Sequence, residues 1–252
     1  CDPAIASLEQ AGVAVTVFDE VEADPSRATL MRAVEAGRAA GVRGVAGFGG
    51  GSSLDVAKLA ALLLGSGEAC DEAGGVAQAK GPRLPLALVP TTAGTGSEVT
   101  PVSIITVGEE EKRGVSSPVI LPDVAVLDAE LTLGLPAAIT AATGVDAMVH
   151  AIEAYASKNA NNNPLSKMLA RQALRLLGAN IETAVFNGRD VEARGAMLLG
   201  SMLAGQAFAN SPVAAVHALA YPIGGTFHVP HGLSNALVLP HVLRFNAPDA
   251  AH

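Results

Sequence analysis

The sequence predicts an α/β domain followed by an all-helical one, expected at residues 1–135 and 136–252. Short β-branched runs alternate with helical patterns from Gly12 to Asp128, and after Leu135-Pro136 the apolar period becomes helical throughout. Half of the 252 residues are hydrophobic and only 3% aromatic, which is enough to bury two modest cores with aliphatic packing.

In chain order, Val13 to Phe18, Gly44 to Phe48, Leu84 to Val89, Val102 to Val107 and Val124 to Leu127 read as strands. Ser26 to Ala40 and Ser53 to Leu64 read as helices between them. Such alternation implies a mostly parallel sheet, because parallel neighbours need a crossover. The Glu109-Glu110-Glu111 run reads as a solvated turn. Asp128 to Pro136 is the expected linker, its Leu-Pro end stopping one element and opening a helix. Beyond it Ala137 to Ser157, Pro164 to Phe186, Val191 to Phe208 and Ser234 to Phe245 carry the helical period.

Charge and composition exclude several classes of function. A net charge of −8 without Lys/Arg clusters argues against nucleic acid or an anionic membrane as partner, since both need a basic face. No apolar run approaches the roughly 20 residues of a membrane-spanning helix. The opening Cys1-Asp2-Pro3 lacks the basic and apolar regions of a signal peptide. Cys1 and Cys70 show neither metal-ligand spacing nor a disulfide framework, which suits a reducing compartment, the cytoplasm.

Two loops are candidates for ligand contact. Gly47-Phe48-Gly49-Gly50-Gly51-Ser52-Ser53-Leu54-Asp55 follows a predicted strand and opens a predicted helix. Glycines let backbone amides approach a ligand, and a helix N-terminus offers free N–H groups to an anion such as a pyrophosphate. The same residues also read as a well-capped helix, with Ser52 and Asp55 as a capping box. Pro90-Thr91-Thr92-Ala93-Gly94-Thr95-Gly96-Ser97-Glu98 follows another strand and concentrates hydroxyls that suit ribose and phosphate oxygens. It reads equally as a polar loop bonded to its own backbone. Neither loop matches the Gly-x-Gly-x-x-Gly or Walker fingerprints.

A third constellation points to a metal. Asp146 and His150 are four residues apart, on one face of a helix, where a cation could bridge them. Thr143 and Asp146 also fit a capping box. Downstream His217, His228 and His231 are candidates to join them. Two of the three would complete one carboxylate and three imidazoles, leaving a position for a substrate oxygen. His228 is the one assigned instead to line the pocket or cap a helix, where it is a candidate for contact with the reacting groups.

Together these motifs resemble the iron-containing, or group III, alcohol dehydrogenase family. The resemblance runs through Gly49-Gly50-Gly51-Ser52 with Asp55 and Lys58, Pro90 to Glu98, Leu121-Pro122-Asp123, Gly144 to His150 with Glu153, and Pro230-His231-Gly232. It implies a Rossmann-like nucleotide domain and a helical domain, the architecture shared with dehydroquinate synthase. It also implies a divalent metal, usually Fe(II) with Zn(II) as alternative, held by Asp146, His150, His217 and His231. Contacts to NAD or NADP are implied for Gly50, Gly51, Ser52, Asp55, Thr91, Thr92, Thr95 and Lys112. The implied reaction passes hydride between that cofactor and a small alcohol or aldehyde, and a homodimer is the expected assembly. Tyr221 stands where many relatives carry His near the nicotinamide, and its hydroxyl can still donate a hydrogen bond. Relatives extend further at both ends, with an opening strand and closing helices. Two rival readings use the same scaffold: a lyase like dehydroquinate synthase, which returns its cofactor unchanged, and a metal-independent reductase like maleylacetate reductase. A binding or sensing protein without catalysis is the reading from a different class.

Overall fold

In the computed structural model, which describes residues 2–108 and 111–249, the chain enters through helix α1 (Asp2–Gln10), none of whose residues is buried. The expected strand at Val13 to Phe18 does not form. A strand exists through its ladder partner; this segment has none, and Val13 and Val17 stay half-exposed. Helix α2 (Arg27–Ala39) follows, its first turn closed by the Ser26 side chain accepting from Thr29 N.

Strand β1 (Val45–Gly49) runs into helix α3 (Gly51–Ser66) through the glycine turn. Every residue of α3 from Val56 to Leu63 is buried, and a helix apolar all round must be covered on every side. Leu54, Ala57 and Ala61 pack with Leu86 and Leu88. Val56, Leu59, Leu62 and Leu63 pack with Leu30, Val34, Ile105, Val115 and Ile120 in a larger cluster.

The remaining elements of this part are α4 (Cys70–Ala73), β2 (Gly75–Val76), β3 (Leu86–Pro90), β4 (Val102–Val107), β5 (Glu111–Ser116) and β6 (Val124–Ala125). They complete two sheets, ordered β1-β3-β6 and β2-β5-β4. The expectation of a mostly parallel sheet fails in the second: β5 pairs parallel with β2 but antiparallel with β4, Ile104 opposite Gly114 and Val107 opposite Glu111. Strand β5, Glu-Lys-Arg-Gly-Val-Ser, has no apolar alternation to announce it and forms because β4 offers a ladder. Of the expected acidic turn, Glu109 and Glu110 lie outside the described residues, and Glu111 opens β5.

The helical part comprises α5 (Ala137–Ala156), α6 (Pro164–Phe186), α7 (Val191–Asn210), α8 (Ala215–Phe227) and α9 (His231–Asn246). Pro136 precedes α5, Asn163 and Pro164 open α6, and Asp190 caps α7 by accepting from Ala193 N. Ala147, Ala151, Ala154, Ala170, Ala173, Ala193 and Ala204 form most of one buried cluster with Leu177 and Met197. Side chains this small let α5, α6 and α7 approach closely. Helix α8 was not foreseen, since Pro222, Gly224 and Gly225 interrupt its pattern, and α9 begins at His231 rather than Ser234.

Contacts divide the chain into two compact units, 1–89 with 101–124, and 90–100 with 125–252. Relative to the seam expected in chain order, the threonine loop joins the helical unit because it packs on helices: Gly94 lies against Thr143 of α5 and Gly96 against Gly205 of α7.

Candidate metal centre and cofactor loops

Three helices of the second unit present polar residues one turn apart, α5 with Asp146, His150 and Glu153, α8 with His217 and Tyr221, and α9 with His231 and Asn235. Val149, Val216, Val238 and Val242 pack these helices together. The polar stripes are thereby turned toward one another, and Asp146, His150, Glu153, His217 and Asn235 are all buried.

Asp146, His150 and His217 bring one ligand atom each to within 4.8 Å of one another. The Nε2 atoms of His150 and His217 are 3.0 Å apart. The His231 Nε2 is 3.5 Å from Asp146 Oδ1, on a ring that is 39% exposed and forms the open side of the group. The Asn235 amide, Nδ2, lies 2.6 Å from Asp146 Oδ1 and 3.3 Å from Nε2 of both His217 and His231. It donates to the Asp146 oxygen, while the part each ring nitrogen plays depends on its tautomer.

The Nδ1 of His150 is buried without a well-aligned hydrogen bond, and the Gly94 backbone is close enough to the ring to favour a proton on it. Between the two facing Nε2 atoms a single proton can serve, and Nδ1 of His217 is directed away at Glu153 Oε2, 2.6 Å distant. One carboxylate and two imidazoles converge, with His231 beside the carboxylate, and such a donor set suits a divalent cation. Burial drives His150 down to about 4, against the pull of the Asp146 carboxylate, so its ring is neutral and able to ligate at neutral pH. Burial would raise the Asp146 carboxyl, but the imidazoles of His150, His231 and His217 and the Asn235 amide outweigh it and hold it below the ordinary carboxylate value.

Around this centre the aromatic rings are ordered. His150 is stacked between Phe208 of α7 and His217, with centroids 4.5 and 4.6 Å away. Tyr221 stacks on His231 at 5.7 Å and stays 41% exposed. His228 is the C-cap residue of α8 with a left-handed backbone, φ 53°, and is exposed. The capping box expected of Thr143 and Asp146 is absent: both lie inside α5, and Thr143 donates back to Ile139 O.

In the first unit the glycine turn stands where the sequence put it, between strand and helix. Gly49 has φ +150°, and a Cβ there would meet Ser53 Oγ at 2.6 Å. Gly50 is the N-cap of α3 without a side-chain cap, leaving Gly51 and Ser52 in the first turn. The capping box expected of Ser52 and Asp55 therefore does not form. The Asp55 carboxylate accepts from Ile104 N at 2.9 Å and stands 3.8 Å from the buried Lys58 Nζ, tying α3 to β4. Lys112 Nζ pairs with Asp24 at 2.6 Å. In the second unit Thr91, Thr92 and Thr95 are partly exposed, and Thr95 Oγ1 accepts from Ser97 N.

Sequence reasoning assigned no role to Glu153 or Asn235. The spacing Asp146, His150, Glu153 and the His231 to Asn235 spacing were available signals, but both residues gain meaning only once α8 lies beside α5 and α9.

Comparison with known proteins bears on the same residues. Residues 1–129 match the family described as iron-containing alcohol dehydrogenase, and residues 140–252 match the Fe-containing alcohol dehydrogenase family, C-terminal. The long-chain-alcohol dehydrogenase 1 of Geobacillus thermodenitrificans is 46% identical over 97% of this chain and 62% of its own length. A crystal structure of 1,3-propanediol oxidoreductase superposes with TM-score 0.93 at 39% identity, over 97% of this chain and 64% of that one. A sulfoacetaldehyde reductase from Bifidobacterium kashiwanohense, solved in complex with NAD+, gives 0.86 at 33% identity, over 96% of this chain and 66% of that one. The chain thus spans about three fifths of the length of the curated relatives it matches.

Proposed function

The chain belongs to the iron-containing alcohol dehydrogenase family, and on that premise we propose that it transfers hydride between NAD or NADP and a small alcohol or aldehyde at a divalent metal held by Asp146, His150, His217 and His231. The observation that carries this reading is the convergence of ligand atoms from Asp146, His150 and His217 in a buried cluster, with the partly exposed His231 ring beside Asp146. When bound, a divalent cation supplies Lewis-acid polarisation of the substrate oxygen, and the nicotinamide supplies hydride chemistry.

The chain's own residues do the rest. Helices α5, α8 and α9 fix the ligands before any cation arrives, so little side-chain entropy is lost on binding. Phe208 walls His150 from water on one side. Tyr221, exposed and stacked on His231, offers a hydroxyl that can donate to or accept from a substrate oxygen; His228, exposed at the end of α8, is a weaker candidate for the same contact. The amides of Gly50, Gly51 and Ser52 at the N-terminus of α3 suit a pyrophosphate, and the hydroxyls of Thr91, Thr92 and Thr95 suit ribose and phosphate oxygens. Asp55 and Lys112 are engaged by Ile104 N of β4 and by Asp24, so Asp55 supports the glycine turn by holding α3 on β4.

Iron is the metal of the family, while intrinsic affinity of such a donor set favours zinc. No described helix is long and apolar enough to cross a membrane. A cytoplasmic location is supported by Cys70, a buried free thiol. Assembly as a homodimer follows the commonest symmetry.

The test is oxidation of NADH and NADPH with a panel of short aldehydes, on metal-stripped full-length protein with and without Fe(II) or Zn(II). Metal-dependent cofactor consumption is expected. Cofactor binding without consumption under every metal would refute the redox assignment.

A further inference from the structure

Helix α8 carries a metal-ligand candidate, His217, in its first turn but has no cap of its own. Its N-cap residue is Ala214, which offers no side-chain acceptor. The acceptor comes instead from α5. Glu153 Oε2 accepts from Ala214 N at 3.0 Å, and its Oε1 accepts from Val216 N at 2.6 Å. The same carboxylate meets Nδ1 of His217 at 2.6 Å. It is only 5% exposed, and the two backbone groups bonded to it are donors at the N-terminus of α8.

Both carboxylate oxygens accept from backbone N–H groups, so Oε2 meets Nδ1 of His217 as an acceptor and that nitrogen carries the proton. In a neutral ring Nε2 is then bare. That atom faces Nε2 of His150 at 3.0 Å and the Asn235 amide donor at 3.3 Å, both in the buried cluster. We infer that Glu153 is the positioning residue of this centre: by fixing both the register of α8 and the Nδ1–H tautomer of His217, it aims the Nε2 lone pair at the cation. The inference rests on the metal reading above and deepens it. Carboxylate partners of this kind orient the imidazole and raise its basicity, and their loss costs roughly 10- to 100-fold in metal affinity.

A helix cap and a positioning residue make different predictions. A cap alone would affect folding, whereas a positioning residue sets the state of one ring and the affinity for one ion. The first experiment is long-range 1H–15N correlation on metal-free wild-type protein labelled at histidine nitrogens. His217 is expected with Nδ1 protonated and Nε2 bare; the opposite tautomer overturns the inference, whatever any variant does.

The second experiment is Glu153→Gln, with Co(II) and Zn(II) affinity read by chelator competition. A roughly 10- to 100-fold weakening is expected, with a shifted Co(II) visible spectrum and unchanged circular dichroism. Acting through His217 also predicts non-additivity: in a His217→Gln background, E153Q should weaken binding little further. Equal affinity and an unchanged spectrum in a folded E153Q overturn the inference and leave the metal site standing. If wild-type protein itself binds neither ion, the metal reading falls and the inference falls with it. If E153Q does not fold, the wild-type tautomer decides alone.

Discussion

Gly96 and Gly205 meet backbone to backbone, and this contact explains why the threonine loop needs glycine where it does. Gly96 has φ +60°, and a Cβ on it would stand 2.6 Å from Gly205 Cα. Replacing it by alanine adds left-handed strain to a clash with main chain that cannot step aside. Gly96→Ala should cost about 2 to 5 kcal/mol in urea denaturation, and wild-type stability in that variant would mean that α7 can retreat. The residues of the centre have a different signature. Asp146→Ala removes the charge that the three imidazoles cannot supply, so metal content after dialysis should fall to background and cofactor turnover with it, while the protein stays folded. Retained metal in that variant would remove Asp146 from the ligand set. The i, i+4 pair Asp146 and His150 could be read from sequence because helical spacing alone puts both on one face. Glu153 and Asn235 could not be read the same way: their partners, Ala214, Val216, His217 and Asp146, lie 61, 63, 64 and 89 residues away and are supplied by tertiary structure.

At the scale of elements, the start of β6 is fastened to β3 by Asp123. Its carboxylate accepts from both Nη atoms of Arg83, at 2.7 and 2.8 Å, and from Leu86 N at 2.8 Å. The Arg83 hydrogen bonds, with that of Leu86 N, lower its pKa to about 2. A carboxyl depressed in the folded state stabilises above its unfolded value of roughly 4 and ceases to do so as pH falls through its folded one. The melting-temperature gap between wild type and Asp123→Asn should therefore be constant above about pH 5 and close between about pH 4 and 2. A gap independent of pH would assign the effect to the Leu86 hydrogen bond instead. The cap of α7 is simpler: Asp190→Ala should cost about 1 kcal/mol by denaturant melting. Elements with strong period or clear caps were legible, among them α2, α3, α6 and α7. Those that depend on a neighbour were not. Strand β5 is polar and exists by pairing with β4, the Val13 to Phe18 run has strand composition without a ladder, and the first turn of α8 is capped by Glu153 from another helix.

For the whole molecule, an α/β part followed by a helical part was legible in the change of period, but the contact seam falls at 124/125, ahead of Leu135-Pro136, and the path of residues 90–100 into the helical unit was not legible. That path is set by close packing of glycines on α5 and α7, to which apolar patterning is blind. A ligand that binds only the folded state stabilises it by mass action. Zn(II) or Fe(II) at about 1,000 times its Kd should raise stability by ~4 kcal/mol, or roughly 10 °C in melting temperature for a protein of this size, and chelator should reverse it. A melting curve indifferent to both ions would argue against any pre-formed centre.

Every polar pair in the centre sits one helical turn apart on α5, α8 or α9. Deleting or inserting a single residue within any of these helices turns everything beyond it by about 100°, which points half of each pair into the alanine and valine packing. The centre is thus built to drift by substitution but not by change of length. Across relatives, length variation should be confined to the connections between these helices, and chimaeras should accept α5, α8 or α9 only as uncut segments.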